Sequence, residues 1–139
     1  MIAELLSGDA LYQRYYMSPL ESGGVPTLFE DFKYLHVNEM MREHHFVVEQ
    51  NGKLLGTLGI QANPYDENQI WLKHIVVHKK HRNQGIAKTL LNALFRHAQE
   101  KGQAIKRSSP SSMGAEYLPS IYAVLTAAYP DVRVIAHNA

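Results

Sequence analysis

The spacing of hydrophobic positions changes along this chain, and each change marks an element. Residues 70–77 form a run rich in β-branched and aromatic side chains, the composition of a pleated, half-buried strand. From Ala87 the apolar positions fall at Ala87, Leu90, Leu91, Leu94, Phe95 and Ala98, the i, i+3, i+4, i+7 spacing of an amphipathic helix. Lys88, Asn92, Arg96, Gln99 and Glu100 make its polar face, and Gly102 offers a left-handed residue to end it. Upstream, two β-prone runs at 46–50 and 53–61 flank Asn51-Gly52, the preferred pair for a type I′ hairpin. Gly56 and Gly59 interrupt the second run and predict a bulge or a close approach of another group to the backbone. Beyond the helix, residues 104–107 read as a short strand, parallel to the 70–77 strand by the right-handed crossover rule. Leu118, Ile121, Tyr122, Leu125 and Ala128 then repeat the helical spacing, with Pro119 tolerable only near the helix start or as a kink. Residues 131–136 close the chain as a last strand.

The first 45 residues are harder to pattern. Ile2, Leu5, Leu6, Leu11, Tyr12, Tyr15 and Tyr16 are loosely helical, broken by Ser7-Gly8-Asp9, which predicts one or two short helices and no clear first strand. Ser18-Pro19 and the segment from Ser22 to Pro26 predict a flexible connection. Thr27-Leu28-Phe29-Glu30 has the form of a capping box opening a helix to about Arg42. A strand over 32–37 is the alternative there.

Composition narrows the function classes. At 139 residues and 15.7 kDa the chain is one domain's worth. Fourteen Lys+Arg against thirteen Asp+Glu give a net charge of +1, so no broad field draws nucleic acid or an anionic membrane. Cysteine is absent, which removes disulfides, thiolate metal sites and cysteine nucleophiles together. No apolar run approaches the roughly 20 residues that span a bilayer. Glu4 and Asp9 sit where a signal peptide would be basic or apolar. The reading is a cytoplasmic protein. Eight histidines raise a metal site, yet His74 and His78 are separated along a strand and His44 and His45 point oppositely, so no metal is expected.

Between the 70–77 strand and its helix lies Arg82-Asn83-Gln84-Gly85-Ile86-Ala87, where only Gly85 is free to take positive φ. The first amides of a helix lack partners inside it and carry the positive end of its dipole, so such a turn suits a phosphate. Lys79, Lys80, Arg82 and Lys88 add charge around it. A Walker-type loop of the same length fails at both glycine positions, which hold Arg82 and Ala87. The stretch from Val77 to Leu91, with Arg82, Gly85 and Ala87 at the signature positions, instead resembles motif A of the GNAT superfamily of acyl-CoA N-acyltransferases. Lys79 stands where proline is common in that motif, and Asn83 where glycine is common.

That resemblance implies a fold, a co-substrate and a site. The fold is α+β: a GNAT-type mixed central sheet with flanking helices, opened between the 70–77 and 104–107 strands and lacking or shortened in its last strand. Residues 1–139 form one domain, with a helical acceptor-side region at 1–45 and a cofactor-binding core at 46–139. Acetyl-CoA would lie with its pantetheine arm on Ile75, Val76 and Val77 and its pyrophosphate on Arg82, Asn83, Gln84, Gly85, Ile86, Ala87 and Lys88. The reaction is direct attack of a neutral amine on a thioester, needing a base and an acid. Tyr122 is the expected acid, with Tyr117 behind it, and His74 the expected base, with Glu49 behind it. The acceptor is a primary amine of a small molecule or a protein; nucleic acid and membrane are not expected, and a homodimer is compatible. The segment 108–112 replaces an asparagine common in the family. This leaves open a second function, a weak or inactive module of the same fold that acts by docking on a partner protein.

Overall fold

The computed structural model describes residues 2–16, 42–51, 53–78, 81, 84–107 and 114–136. Strand β1 (Glu4–Ser7) leads into a short helix α1 (Gly8–Leu11), which runs on as a π-helical turn (Tyr12–Tyr16). Then come β2 (His44–Gln50), β3 (Lys53–Ala62) and β4 (Gln69–Val77). Helix α2 (Ile86–Lys101), β5 (Ala104–Lys106), α3 (Gly114–Ala128) and β6 (Val134–Ile135) complete the described elements. One six-stranded sheet results, in the order β1-β2-β3-β4-β5-β6. Its first four strands are antiparallel neighbours, and β4, β5 and β6 run parallel. This is the mixed α+β sheet the sequence predicts, with the 70–77 and 104–107 runs adjacent and parallel.

The apolar positions expected of α2 are all buried, together with Ile86. They pack on Phe46, Val48, Leu58, Ile60, Ile70 and Leu72 from one face of the sheet and on Leu118, Tyr122 and Leu125 of α3. Gly102, at φ 65°, ends α2, and the Gln103 N–H donates back to the Ala98 carbonyl at 2.9 Å. In the hairpin, Asn51 takes φ 53°, as a type I′ turn requires. Pro119 falls in the second turn of α3, which begins four residues before the first apolar position of the sequence pattern.

The N-terminus departs from expectation. Residues 4–7 are a strand paired with β2, Leu6 opposite His45 and Glu4 opposite Val47. Ile2, Leu5 and Leu6 fit a helical template, but Leu6 is buried while Leu5 stays 40 % exposed, the alternation of an edge strand. Sheet pairing overrides local spacing here. Ser7, read as an interruption, caps α1 by accepting the Ala10 N–H at 3.2 Å. The expected connection at 18–26, the helix from Thr27 and the turn at 108–112 lie outside the described residues.

Candidate active site

Strand β4 is held along one edge by β3, with partners from Ala62↔Ile70 to Gly56↔Val77. Along its other edge the register with β5 runs only from Gln69↔Ala104 to Trp71↔Lys106. Among the described residues, β4 thus continues through Ile75, Val76 and Val77 past the end of its register with β5 at Trp71. Past β4, His78 donates its N–H to the Leu55 carbonyl and His81 to the His78 carbonyl, both at 2.8 Å.

The turn ends on Gly85, at φ 79° and ψ 10° the N-cap residue of α2. Among the described residues, a Cβ built on Gly85 meets nothing within 4 Å. The first turn of α2 holds no acidic residue, and Gly85 brings no side-chain cap. Its carbonyl takes both the Thr89 N–H (3.0 Å) and the Thr89 hydroxyl (2.9 Å), which fixes the first turn without using the amides of Ile86, Ala87 and Lys88. Ile86 and Ala87 are buried against the sheet, and Gln84 and Lys88 are exposed. A left-handed, acid-free helix start following the end of β4 is an arrangement that can take a phosphate. Arg82 and Asn83 lie outside the described residues.

Gly56 explains how α2 comes so close. Its missing Cβ would stand 2.8 Å from Ile86 Cγ2, 3.1 Å from the Val76 carbonyl oxygen and 3.3 Å from Leu90 Cδ1. The glycine in β3 therefore sets the seat of the helix start against β4.

Tyr122 lies on this same side of the sheet. Its ring is 6 % exposed, packs at 6.2 Å from the Phe95 ring and carries the Arg107 guanidinium 3.9 Å above its centroid. Burial pushes its phenol above the ordinary value, against the charge and hydrogen bond of Arg107, and burial dominates. The phenol is thus held protonated at neutral pH, the form a general acid needs. The Tyr117 side chain lies outside the described residues, and Glu49 is exposed at the hairpin.

His74 points the other way. It is 6 % exposed on the face away from α2, with Nε2 3.4 Å from Thr57 Oγ1 and Nδ1 3.4 Å from Glu43 Oε2. Fully buried His45 joins it, Nε2 3.9 Å from the same carboxylate oxygen. The two expected proton-transfer groups therefore lie on opposite faces of the sheet. Glu43 goes unnoticed in the sequence, and His45 is set aside there as a ligand because it is weighed only with its neighbour His44. The signal for them is Gly59, flagged as a close approach: it pairs with His45 on one side and His74 on the other. A Cβ there would meet His74 Cε1 and Nδ1 and Glu43 Oε2. A bulge after Gly59 also shifts the β3–β4 register.

Comparison with known proteins bears on the family and the fold. The description "Acetyltransferase (GNAT) family" matches residues 8–109. A mouse probable N-acetyltransferase family 8 member 5 is 37 % identical over 60 residues, which is 41 % of this chain and 26 % of that protein. The chain thus matches about a quarter of that relative's length. Among solved structures, the ribosomal-protein-S18-alanine N-acetyltransferase of Escherichia coli aligns with TM-score 0.61 and 18 % identity, covering 89 % of this chain and 76 % of that one. An aminoglycoside N-acetyltransferase in complex with CoA aligns with TM-score 0.54 and 18 % identity, covering 88 % and 84 %. At such identity these structures speak to the fold.

Proposed function

The chain belongs to the acetyltransferase (GNAT) family, and from that premise we propose that it is an N-acetyltransferase moving an acetyl group from acetyl-CoA to a primary amine of a small molecule or a protein. The observation that carries this reading is the left-handed, acid-free start of α2 at Gly85, following the end of β4. Acetyl-CoA supplies the activated acyl thioester. Backbone groups of Ile75, Val76 and Val77 would align the arm that carries it. The amides of Ile86, Ala87 and Lys88, with Gln84 and Gly85 and the neighbouring Arg82 and Asn83, would take the pyrophosphate.

The amine must be neutral to attack. A C–N bond then forms as the C–S bond breaks, one proton leaves the nitrogen and one reaches the departing sulfur. Tyr122, on the face that carries the helix start, would give the second; His74, buried on the opposite face with Glu43 and His45, is not placed to take the first, which would pass to water. The two aligned structures are named for a protein amine and for an aminoglycoside, so both acceptor classes stay within the proposal.

Calorimetry with acetyl-CoA and with ATP tests the phosphate seat. The proposal expects 1:1 binding of acetyl-CoA and none of ATP. Binding of ATP alone would refute it.

A further inference from the structure

We propose that Glu43, His45 and His74 form a binding site for a divalent zinc-type cation, on the face of the sheet away from α2. These three side chains bring one ligand atom each to within 4.8 Å of one another. All are buried, at 5 %, 0 % and 6 % exposure. Two imidazoles and one carboxylate are a recurrent three-residue ligand set for zinc, with the fourth tetrahedral position left for another donor.

Distances decide between an ion pair and a shared ion. A charge-assisted hydrogen bond from imidazole to carboxylate is about 2.7–2.9 Å long. The contacts here are 3.4 Å (His74 Nδ1 to Glu43 Oε2) and 3.9 Å (His45 Nε2 to Glu43 Oε2). Two donors each about 2.0–2.1 Å from a tetrahedral ion stand about 3.4 Å apart. Glu43 Oε2 enters no hydrogen bond among the described residues, an expensive state for a buried carboxylate oxygen unless a cation sits beside it. Thr57 Oγ1, 3.4 Å from His74 Nε2, lies where a metal-bound imidazole sends its remaining N–H. The sheet makes the room: in the row His45–Gly59–His74 the central residue has no side chain, and the imidazoles approach to 5.4 Å between ring centroids across it.

Chelator-stripped full-length protein is titrated with Zn²⁺ against a chromophoric competitor, and Co²⁺-loaded protein is examined for tetrahedral visible bands. Expected are one ion per chain, loss of binding in Glu43→Gln and in His45→Gln, and roughly 10–100-fold weaker binding in Thr57→Val, which keeps all three ligands. His97→Gln, on the opposite face, should bind as wild type. If wild-type protein binds no zinc, or binds it equally well in Glu43→Gln, the cluster is a buried carboxylate–imidazole pair only and the proposal is overturned. Because the wild-type titration decides this, a variant that fails to fold does not rescue it.

Discussion

Gly56 and Gly59 stand three residues apart on β3 and serve opposite faces of one sheet. On the first face the missing side chain lets an apolar helix settle against β4. On the second it lets two histidines and a glutamate meet over bare backbone. The first face is held by area: Leu58, Ile60, Leu90, Leu91 and Leu94 are buried with little polar content, and the chemistry proposed for it is that of main-chain amides. The second is held by polar pairing, where position errors of an ångström matter. One glycine is a packing device; the other is a device for assembling a site.

The widest separation of the two faces should come from Gly85→Trp. At φ 79° any side chain costs about 1–2 kcal/mol, but among the described residues the space around it is open, so the fold should survive. The indole would fill the phosphate seat and take acetyl-CoA affinity below detection by calorimetry, with the zinc titration unchanged. Next, Tyr122→Phe should lower turnover by roughly 10²-fold or more while leaving acetyl-CoA affinity alone; steady-state kinetics with a binding isotherm separates the two. Because burial raises the Tyr122 phenol, its contribution to stability is complete below about pH 10 and is lost as pH rises through its folded value.

The glycine pair gives a smaller, sharper contrast. Gly56→Ala forces Ile86 and the Val76 carbonyl to yield and should cost about 1–3 kcal/mol in denaturant unfolding, weakening acetyl-CoA binding as the helix start moves. Gly59→Ala should leave acetyl-CoA binding and turnover intact and displace His74 and Glu43, cutting zinc binding alone. Equal effects of the two on both ligands would break the comparison.

The least effect is expected at His97, half-buried on α2 with its ring edge-on to Phe46 at 5.8 Å. Burial, helped by Lys101, holds its pKa below the ordinary 6.5. The unfolded chain then takes up a proton that the folded chain resists, so stability is present above pH 6.5 and lost as pH falls through the folded value. His97→Gln should flatten the decline in melting temperature below about pH 6.5.

The contrast also explains what the sequence made legible. A helix that buries one stripe writes its period into the chain, so α2, its Gly102 end and the Gly85 turn were readable from Ala87, Leu90, Leu91, Leu94, Phe95 and Ala98. The parallel pairing of β4 with β5 followed from handedness. The Asn51 turn followed from its dipeptide. By contrast, Glu43, His45 and His74 come together only through β2–β3–β4 register and a bulge after Gly59, long-range facts that no local spacing records. Leu5 and Leu6 misled for a related reason: two adjacent leucines fit a helix stripe, and only pairing with β2 makes them an edge strand.

The central claim is acetyl transfer through the Gly85 seat and the end of β4, and thiol release from acetyl-CoA across a panel of small amines and protein amines tests it most directly. The account predicts amine-dependent release with at least one acceptor, diminished in Tyr122→Phe at unchanged acetyl-CoA affinity. Binding of acetyl-CoA with no release above hydrolysis for any amine, alongside one stoichiometric protein partner, would contradict it and leave a docking module of the same fold.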